Sequence, residues 1–274
     1  RRLLAIVAWL YFVEGLPFAI FRDVLPVHLR LAGMPLGQIG IISGLAAAWS
    51  LKALWSPLVD RYGQYRSWII AALITMALAL SLVARLPADA LAPALVLLIA
   101  VFCAASATQD IAIDAYSIGL VPRGEEGPAN SVRITAYRLA IIAGGGLLLL
   151  LPRWIGWSAT LGVAAGLILL LALGTRATPA LPARGTRHSP LSALDDLWRR
   201  PHAAGALGFV LLYRLGDLAM APMLKPFWVD RGLGPEEIGR VSTTLGALAT
   251  IAGAWVGGIF VASRGIPRAL VVAG

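Results

Sequence analysis

Seven ionisable side chains interrupt the long apolar runs of this chain: Glu14, Lys52, Asp110, Asp114, Arg138, Arg214 and Asp217. An unpaired charge at the centre of a hydrocarbon layer costs about 3 kcal/mol, so seven would cost roughly 20 kcal/mol. That exceeds the net stability of a typical fold, about 5–15 kcal/mol. These groups must therefore pair or face water. Asp110 and Asp114 are four residues apart and share one helix face, with Lys52 and Arg138 as candidate counterions; Arg214 and Asp217 are three apart and can pair directly. Four acids against three bases leave one carboxylate over. Glu14 has no base within the core of its own run, because Arg22, eight residues on, is about 12 Å away along a helix. A carboxylate without a counterion inside a membrane is suited to carrying a proton. Glu14 is the first candidate for that role and Asp110 the second. Each charge also has a structural reading: neutralising a neighbour, stapling a helix or, for Asp114, simple hydration near a helix end.

The elements that hold these charges follow from composition. Of 274 residues, 59% are hydrophobic and 14% are charged, against about 25% charged in an ordinary soluble domain. Mean hydropathy is +0.80. No water-soluble core hides that much apolar surface. Eight runs, approximately 3–21, 38–58, 67–84, 91–113, 132–151, 155–174, 203–227 and 238–261, are long enough to cross a layer of about 30 Å, and a ninth starts near 266. They lack the period-2 alternation of a barrel strand, so the expected class is an all-α integral membrane protein. The sequence has no initiator Met and no cleavable signal pattern, and it stops inside an apolar run; it reads as part of a longer protein.

The 23 Lys and Arg residues against 14 Asp and Glu do not form a nucleic-acid-binding face. They sit at span ends. With the N-terminus inside, thirteen fall on cytoplasmic segments and seven on the opposite side, which favours that orientation. The single cysteine, Cys103, and the scattered His28, His188 and His202 have no metal-site spacing. Nothing in the sequence calls for a cofactor, and no G-x-x-x-x-G-K-[ST] loop is present to bind ATP. The Gly162-x-x-x-Gly166 and Gly253-x-x-x-Gly257 pairs predict close helix approach.

One long polar segment, 175–202, separates spans six and seven. Its second half, 189–200, predicts a short surface helix capped by Ser189, with Leu191, Leu194, Leu197 and Trp198 as its apolar stripe. On either side of it the sequence repeats. Gly33-Met-Pro-Leu-Gly-Gln-Ile-Gly40 matches Gly232-Leu-Gly-Pro-Glu-Glu-Ile-Gly239 at an offset of 199, and residues 56–66 match 258–268 at an offset of 202. This predicts a six-helix half over 1–174, a linker over 175–202 and the first part of a second half over 203–274. Two parallel halves are a plan of secondary transporters.

Asp60-Arg61-Tyr62-Gly63-Gln64-Tyr65-Arg66 resembles the loop signature G-x-L-x-D-R-x-G-R-K-R of the major facilitator superfamily, with Ser56 at its first Gly and Gln64 and Tyr65 at two basic positions. Residues 51–61, 107–116 and 212–217 are similar to the muropeptide permease (AmpG) branch, which also holds siderophore permeases and, more distantly, acetyl-CoA transporters. The resemblance implies twelve spans, of which about four would lie beyond this sequence. It gives Asp60, Arg61, Gly63 and Arg66 a gating role. It also places spans one, four and seven on a central cavity, and five of the seven intramembrane charges fall on those spans. The expected function is alternating-access import of a muropeptide- or siderophore-like solute, coupled to protons. The protein is expected to act as a monomer in a bacterial inner membrane. An acetyl-CoA-type or other organic-anion transporter is the alternative. An intramembrane enzyme lacks a nucleophile–base or metal constellation, and a receptor or scaffold gives no reason to bury seven charges.

Overall fold

The computed structural model describes residues 2–89, 91–122, 126–181 and 223–250, with positions 205, 208, 212, 220 and 252. Five helical stretches are long and apolar enough to cross a membrane: Arg2–Leu31, Tyr65–Val83, Pro93–Leu120, Ala129–Leu150 and Pro152–Thr175. They match predicted spans one and three to six. The first runs about ten residues past its predicted end and the fourth seven past, so Asp114 lies within the helix and not at its end. The surface helix predicted over 189–200 and most of span seven lie outside the described residues.

The first stretch is three helices in register: α1 (Arg2–Ala19), a π-helical segment (Ile20–Val24) and α2 (Leu25–Leu31). Helix α1 passes through Pro17 without breaking. The ladder widens just after it, where the Leu25 amide donates to the Ile20 carbonyl, and Pro26 then removes the next donor.

Span two differs most from its prediction as one rod. It is α3 (Leu36–Gly44), α4 (Ala47–Leu51), a 3-10 turn (Lys52–Leu54) and α5 (Ser56–Arg61). Two local causes are visible. A turn at residues 45–46 follows Gly44, and Pro57 starts α5 because it cannot continue the preceding ladder, which leaves Trp55 non-helical at φ −115°, ψ 2°.

The remaining helices are α6 (Tyr65–Val83), α7 (Pro93–Leu120), α8 (Glu126–Ile141) and α9 (Pro152–Thr175). Helix α8 runs on through a second π-helical segment, Ile142–Leu147. Helix α6 packs on α7 and α9, and α1 packs on α8. On α6, Ile69, Leu73, Met76 and Leu80 are buried at helical spacing while Ile74, Leu78 and Leu82 point outward. A helix apolar on both faces needs lipid on the outer one. The protein is a multi-pass, all-α membrane protein.

A helix over residues 223–230, α10, and another at Pro235–Glu237, α11, follow; α11 runs into a third π-helical segment, Ile238–Leu245. The 199-residue repeat is present in backbone geometry. Gly33 and Gly232 both take positive φ, 97° and 85°. Around them the Met34 amide bonds the Leu29 carbonyl at 3.0 Å, and Leu233 bonds Trp228 at 3.0 Å. Both are the six-residue closure of a helix by a left-handed residue, a conformation that favours glycine.

Candidate functional site

Three helices and a broken fourth bring the interior charges together. The 3-10 turn after α4 aims Lys52 at α7, where its Nζ pairs with Asp110 Oδ2 and lies 3.6 Å from Asp114 Oδ2. Next to it, Trp55 Nε1 donates to Thr108 Oγ1 at 3.1 Å and fixes that approach. From α1, the Tyr11 hydroxyl donates to Asp114 Oδ1 at 3.0 Å. From α8, Arg133 Nη2 stands 3.7 Å from the same oxygen, its guanidinium stacked 4.5 Å above the Tyr11 ring. Glu14 faces the Asp110 carboxyl, with Asp114 and Arg133 also within electrostatic reach. The Glu14 Oε2 atom is buried and makes no hydrogen bond among the described residues. Gln109 Nε2 donates to the Val13 carbonyl at 2.9 Å, which clamps α7 to α1 beside Glu14.

Among the described residues the cluster therefore sets three carboxyl groups against two cations. A cavity of about 310 Å³ opens onto it, lined by Tyr11, Glu14, Arg133, Ile134, Tyr137 and Arg138. Of the predicted residues, Glu14, Lys52, Asp110 and Asp114 meet here. Arg138 makes no ion pair among the described residues and lines this cavity instead. Arg133 takes the counterion place expected for it. Arg214 and Asp217 lie outside the described residues.

Sequence reasoning missed a second group. Asp23 of the first π-helical segment and Lys225 of α10 are 3.5 Å apart, their side chains 2% and 8% exposed. Lys225 also donates to Thr243 Oγ1 at 2.9 Å, and Arg22 Nε lies 3.6 Å from Asp23. The three π-helical segments pack together here. They do so through glycine: a Cβ on Gly145 would stand 2.5 Å from Asp23 Oδ2 and 2.9 Å from Thr243 Cγ2, and one on Gly239 would stand 2.6 Å from the Gly146 carbonyl. By contrast Gly162 and Gly166 have no atom of the described residues within 4 Å of such a Cβ, so no described helix makes the close approach predicted there. Gly253 and Gly257 lie outside the described residues.

Farther toward the same end, Arg30 Nε donates to Asp230 Oδ1 at 2.5 Å, and the Glu236 carboxylate receives both Arg153 and Arg240. The Asp60 loop is at the opposite end. Tyr65 OH donates to Asp60 Oδ1 at 3.4 Å. Arg66 Nη1 donates to the Thr178 carbonyl at 2.9 Å and the Arg176 carbonyl at 3.3 Å, which ties the loop to the exit of α9. Gly63 turns the chain at φ 76°, and Arg61 is exposed. Burial pushes the Asp60 carboxyl up from its ordinary range, opposed by the Tyr65 hydrogen bond.

Residues 7–274 match the family model described as Major Facilitator Superfamily. The chain belongs to the major facilitator superfamily. It is 34% identical over 283 residues to the anhydromuropeptide permease of Escherichia coli (strain K12), covering 98% of this chain and 57% of that protein. It is 26% identical to the putative transporter AmpG 4 of Rickettsia conorii and 26% identical to the putative transporter AmpG 3 of Rickettsia typhi, in each case over 96% of this chain and 68% of the relative. The chain thus spans a little over half the length of the Escherichia coli permease. These relatives agree with the AmpG-branch resemblance of residues 51–61, 107–116 and 212–217. Within the superfamily frame, the interior charges sit on the first, second, fourth and fifth spans.

Proposed function

We propose that this chain forms the larger part of a secondary transporter that imports a muropeptide-like solute across a bacterial inner membrane by alternating access, driven by protons. The name and identity of the Escherichia coli relative support the solute class. The observation that carries the mechanism is the interior cluster in which Glu14, Asp110 and Asp114 share two cations, Lys52 and Arg133. A proton arriving through the 310 Å³ cavity reaches Glu14 first, since its Oε2 has no partner among the described residues and its side chain lines the wall. Asp110 is the second stop, held ready by Lys52. Proton loss restores the excess charge and draws the cations inward again. Charge balance of this kind lets one protonation step favour one conformation over another.

The loop Asp60, Arg61, Gly63 and Arg66 serves the conformational step, tethered to the segment after α9. The N-terminus and that loop face the cytoplasm, in keeping with the basic residues there. The cluster is built for charge relay and not for covalent chemistry, so no enzymatic activity is assigned.

The test is uptake into proteoliposomes under an imposed inward proton gradient, with an anhydromuropeptide and a ferric siderophore as rival solutes. Wild type is expected to accumulate the muropeptide, and Glu14→Gln to lose accumulation while retaining solute exchange. Accumulation by Glu14→Gln with unchanged pH dependence would remove Glu14 from the coupling step. Uptake of the siderophore alone would replace the solute class.

A further inference from the structure

We propose that the cavity between Arg22, Asp23, Arg138 and Lys225 is an anion subsite that takes a carboxylate of the transported solute. This rests on the transporter reading above and names the chemistry that the second cavity would recognise. The cavity has a volume of about 210 Å³ and draws its walls from two distant parts of the chain, Arg22, Asp23, Arg138 and Ile141 on one side and residues between Leu224 and Thr250 on the other. Pockets for whole ligands run to about 300–1,000 Å³. This one fits the charged end of a larger molecule.

Its described lining residues include two arginines and a single acid, Asp23. Lys225 Nζ and Arg22 Nε both address the single carboxylate of Asp23, at 3.5 and 3.6 Å. Arg138 lines the same cavity and has no carboxylate partner among the described residues. Among the described lining residues the two arginines, Arg22 and Arg138, thus outnumber the one carboxylate, against apolar walls of Ile141, Leu224 and Ala247. Excess positive charge in a site of low dielectric attracts an incoming anion. A guanidinium offers a carboxylate two parallel donors, which an ammonium cannot. Thr243 already accepts from Lys225, and the Thr250 hydroxyl donates to the Gly246 carbonyl at 2.7 Å, so the wall leaves recognition to Arg138 and Arg22. Asp23 keeps Lys225 and Arg22 from repelling each other while the site is empty. Arg138 also lines the Glu14 cavity, so a solute carboxylate held here lies one side chain away from the carboxyl cluster.

A bound carboxylate would touch both walls and therefore sense their separation. Differential binding of that kind is what couples a ligand to a conformational equilibrium.

The test is equilibrium binding to the purified full-length transporter, with an anhydromuropeptide bearing free peptide carboxylates and its methyl ester as paired probes. Wild type is expected to bind the acid at least about tenfold more tightly than the ester. Arg138→Gln, which breaks no ion pair among the described residues, is expected to erase that preference by weakening the acid alone, with Arg138→Lys recovering part of it. The double variant Asp23→Asn/Lys225→Met removes the buried pair as a unit and should leave a residual preference through Arg138. Equal binding of acid and ester by wild type overturns the subsite, as does an equal loss of both probes in Arg138→Gln. Failure of wild type to bind either probe also overturns it. Uptake in the proteoliposome assay then separates loss of the subsite from loss of the transporter reading.

Discussion

Lys52 is the hinge of the interior cluster, because among the described cations it is the one that addresses both Asp110 and Asp114. Removing it leaves two carboxylates facing each other and Glu14. Breaking a fully buried pair costs about 3–5 kcal/mol. Its side chain is 30% exposed and that of Asp110 15%, so Lys52→Met is expected to cost about 1–3 kcal/mol, the solvent taking up the rest. Thermal unfolding in detergent should show this, and Lys52→Met/Asp110→Asn should regain part of the loss. Asp60 gives a prediction of opposite sign. Its folded carboxyl titrates above the unfolded one, so the native state binds the proton more tightly and stability falls as pH rises through the carboxylate range. Asp60→Asn should therefore raise the melting temperature slightly at pH 7 and leave it unchanged near pH 3. In transport, Asp60→Asn is expected to lower the rate more than the affinity, because the loop contributes nothing to either cavity wall. Single-residue roles are only partly legible in the sequence. The buried charges can be counted from hydropathy, but their partners lie across helices. Arg133 reads as a loop residue because the apolar run begins at 132. Asp23 and Lys225 sit near predicted span ends, where water is the expected partner. The apolar residues Val24, Leu25 and Val27 beyond Asp23 are the signal that its helix continues inside.

The glycine run of the π-helical segment after α8 shows how an element is fitted to its neighbours. Gly144 brings the π-helical segment to within a Cβ's width of the Leu16 carbonyl, and Gly145 does the same toward Asp23 and Thr243. A methyl group there must displace backbone and a buried ion pair. Gly145→Ala is expected to destabilise the protein by about 1–3 kcal/mol, as overpacking does, and to slow uptake. Gly162→Ala on α9, with no described atom near its Cβ position, should leave uptake unchanged and be neutral to slightly stabilising. Equal losses at the two positions would mean that the seam does not explain the effect, since alanine is the better helix former at both. Helices as such are legible from apolar runs of membrane length. Their interruptions are not, because a run apolar on every side has no periodicity to lose where the ladder breaks. Pro57 and Gly44 mark the interruptions of span two, yet the same residue types pass unbroken elsewhere, as Pro17 does in α1.

At the scale of the molecule, Arg30–Asp230 and Arg153–Glu236 fasten α2 to α10 and α9 to α11 at the end opposite the Asp60 loop. In this state that end is closed among the described residues. Holding it closed should stop the transport cycle: a short bismaleimide across Arg30→Cys and Asp230→Cys is expected to block uptake, and each single variant treated alike should keep it. Uptake that survives complete cross-linking would show that this end does not open during transport. Orientation has its own check. Single cysteines at Arg66 and Asp89 should label from opposite sides of the membrane, Arg66 from the cytoplasm. The repeat is legible in the amino-acid sequence, since a turn that needs a left-handed residue twice keeps its glycine twice, at 33 and 232. The closure is not legible there, because it joins residues 200 and 83 positions apart whose charges are ordinary for a membrane surface.

The π-helical segments at Ile20–Val24, Ile142–Leu147 and Ile238–Leu245 each spread their turns over more residues than an α-helix would. An α-helix advances about 100° per residue. If one such segment tightened to α-helical winding by passing a single residue along the rod, everything beyond it would swivel by roughly a quarter-turn. For the first segment the swivel would carry Leu25 through Leu31, and with them the Arg30 side of the fastening to Asp230. A small rewinding at the seam would thus be magnified into release at the rim, with the helix acting as a key turned from its middle.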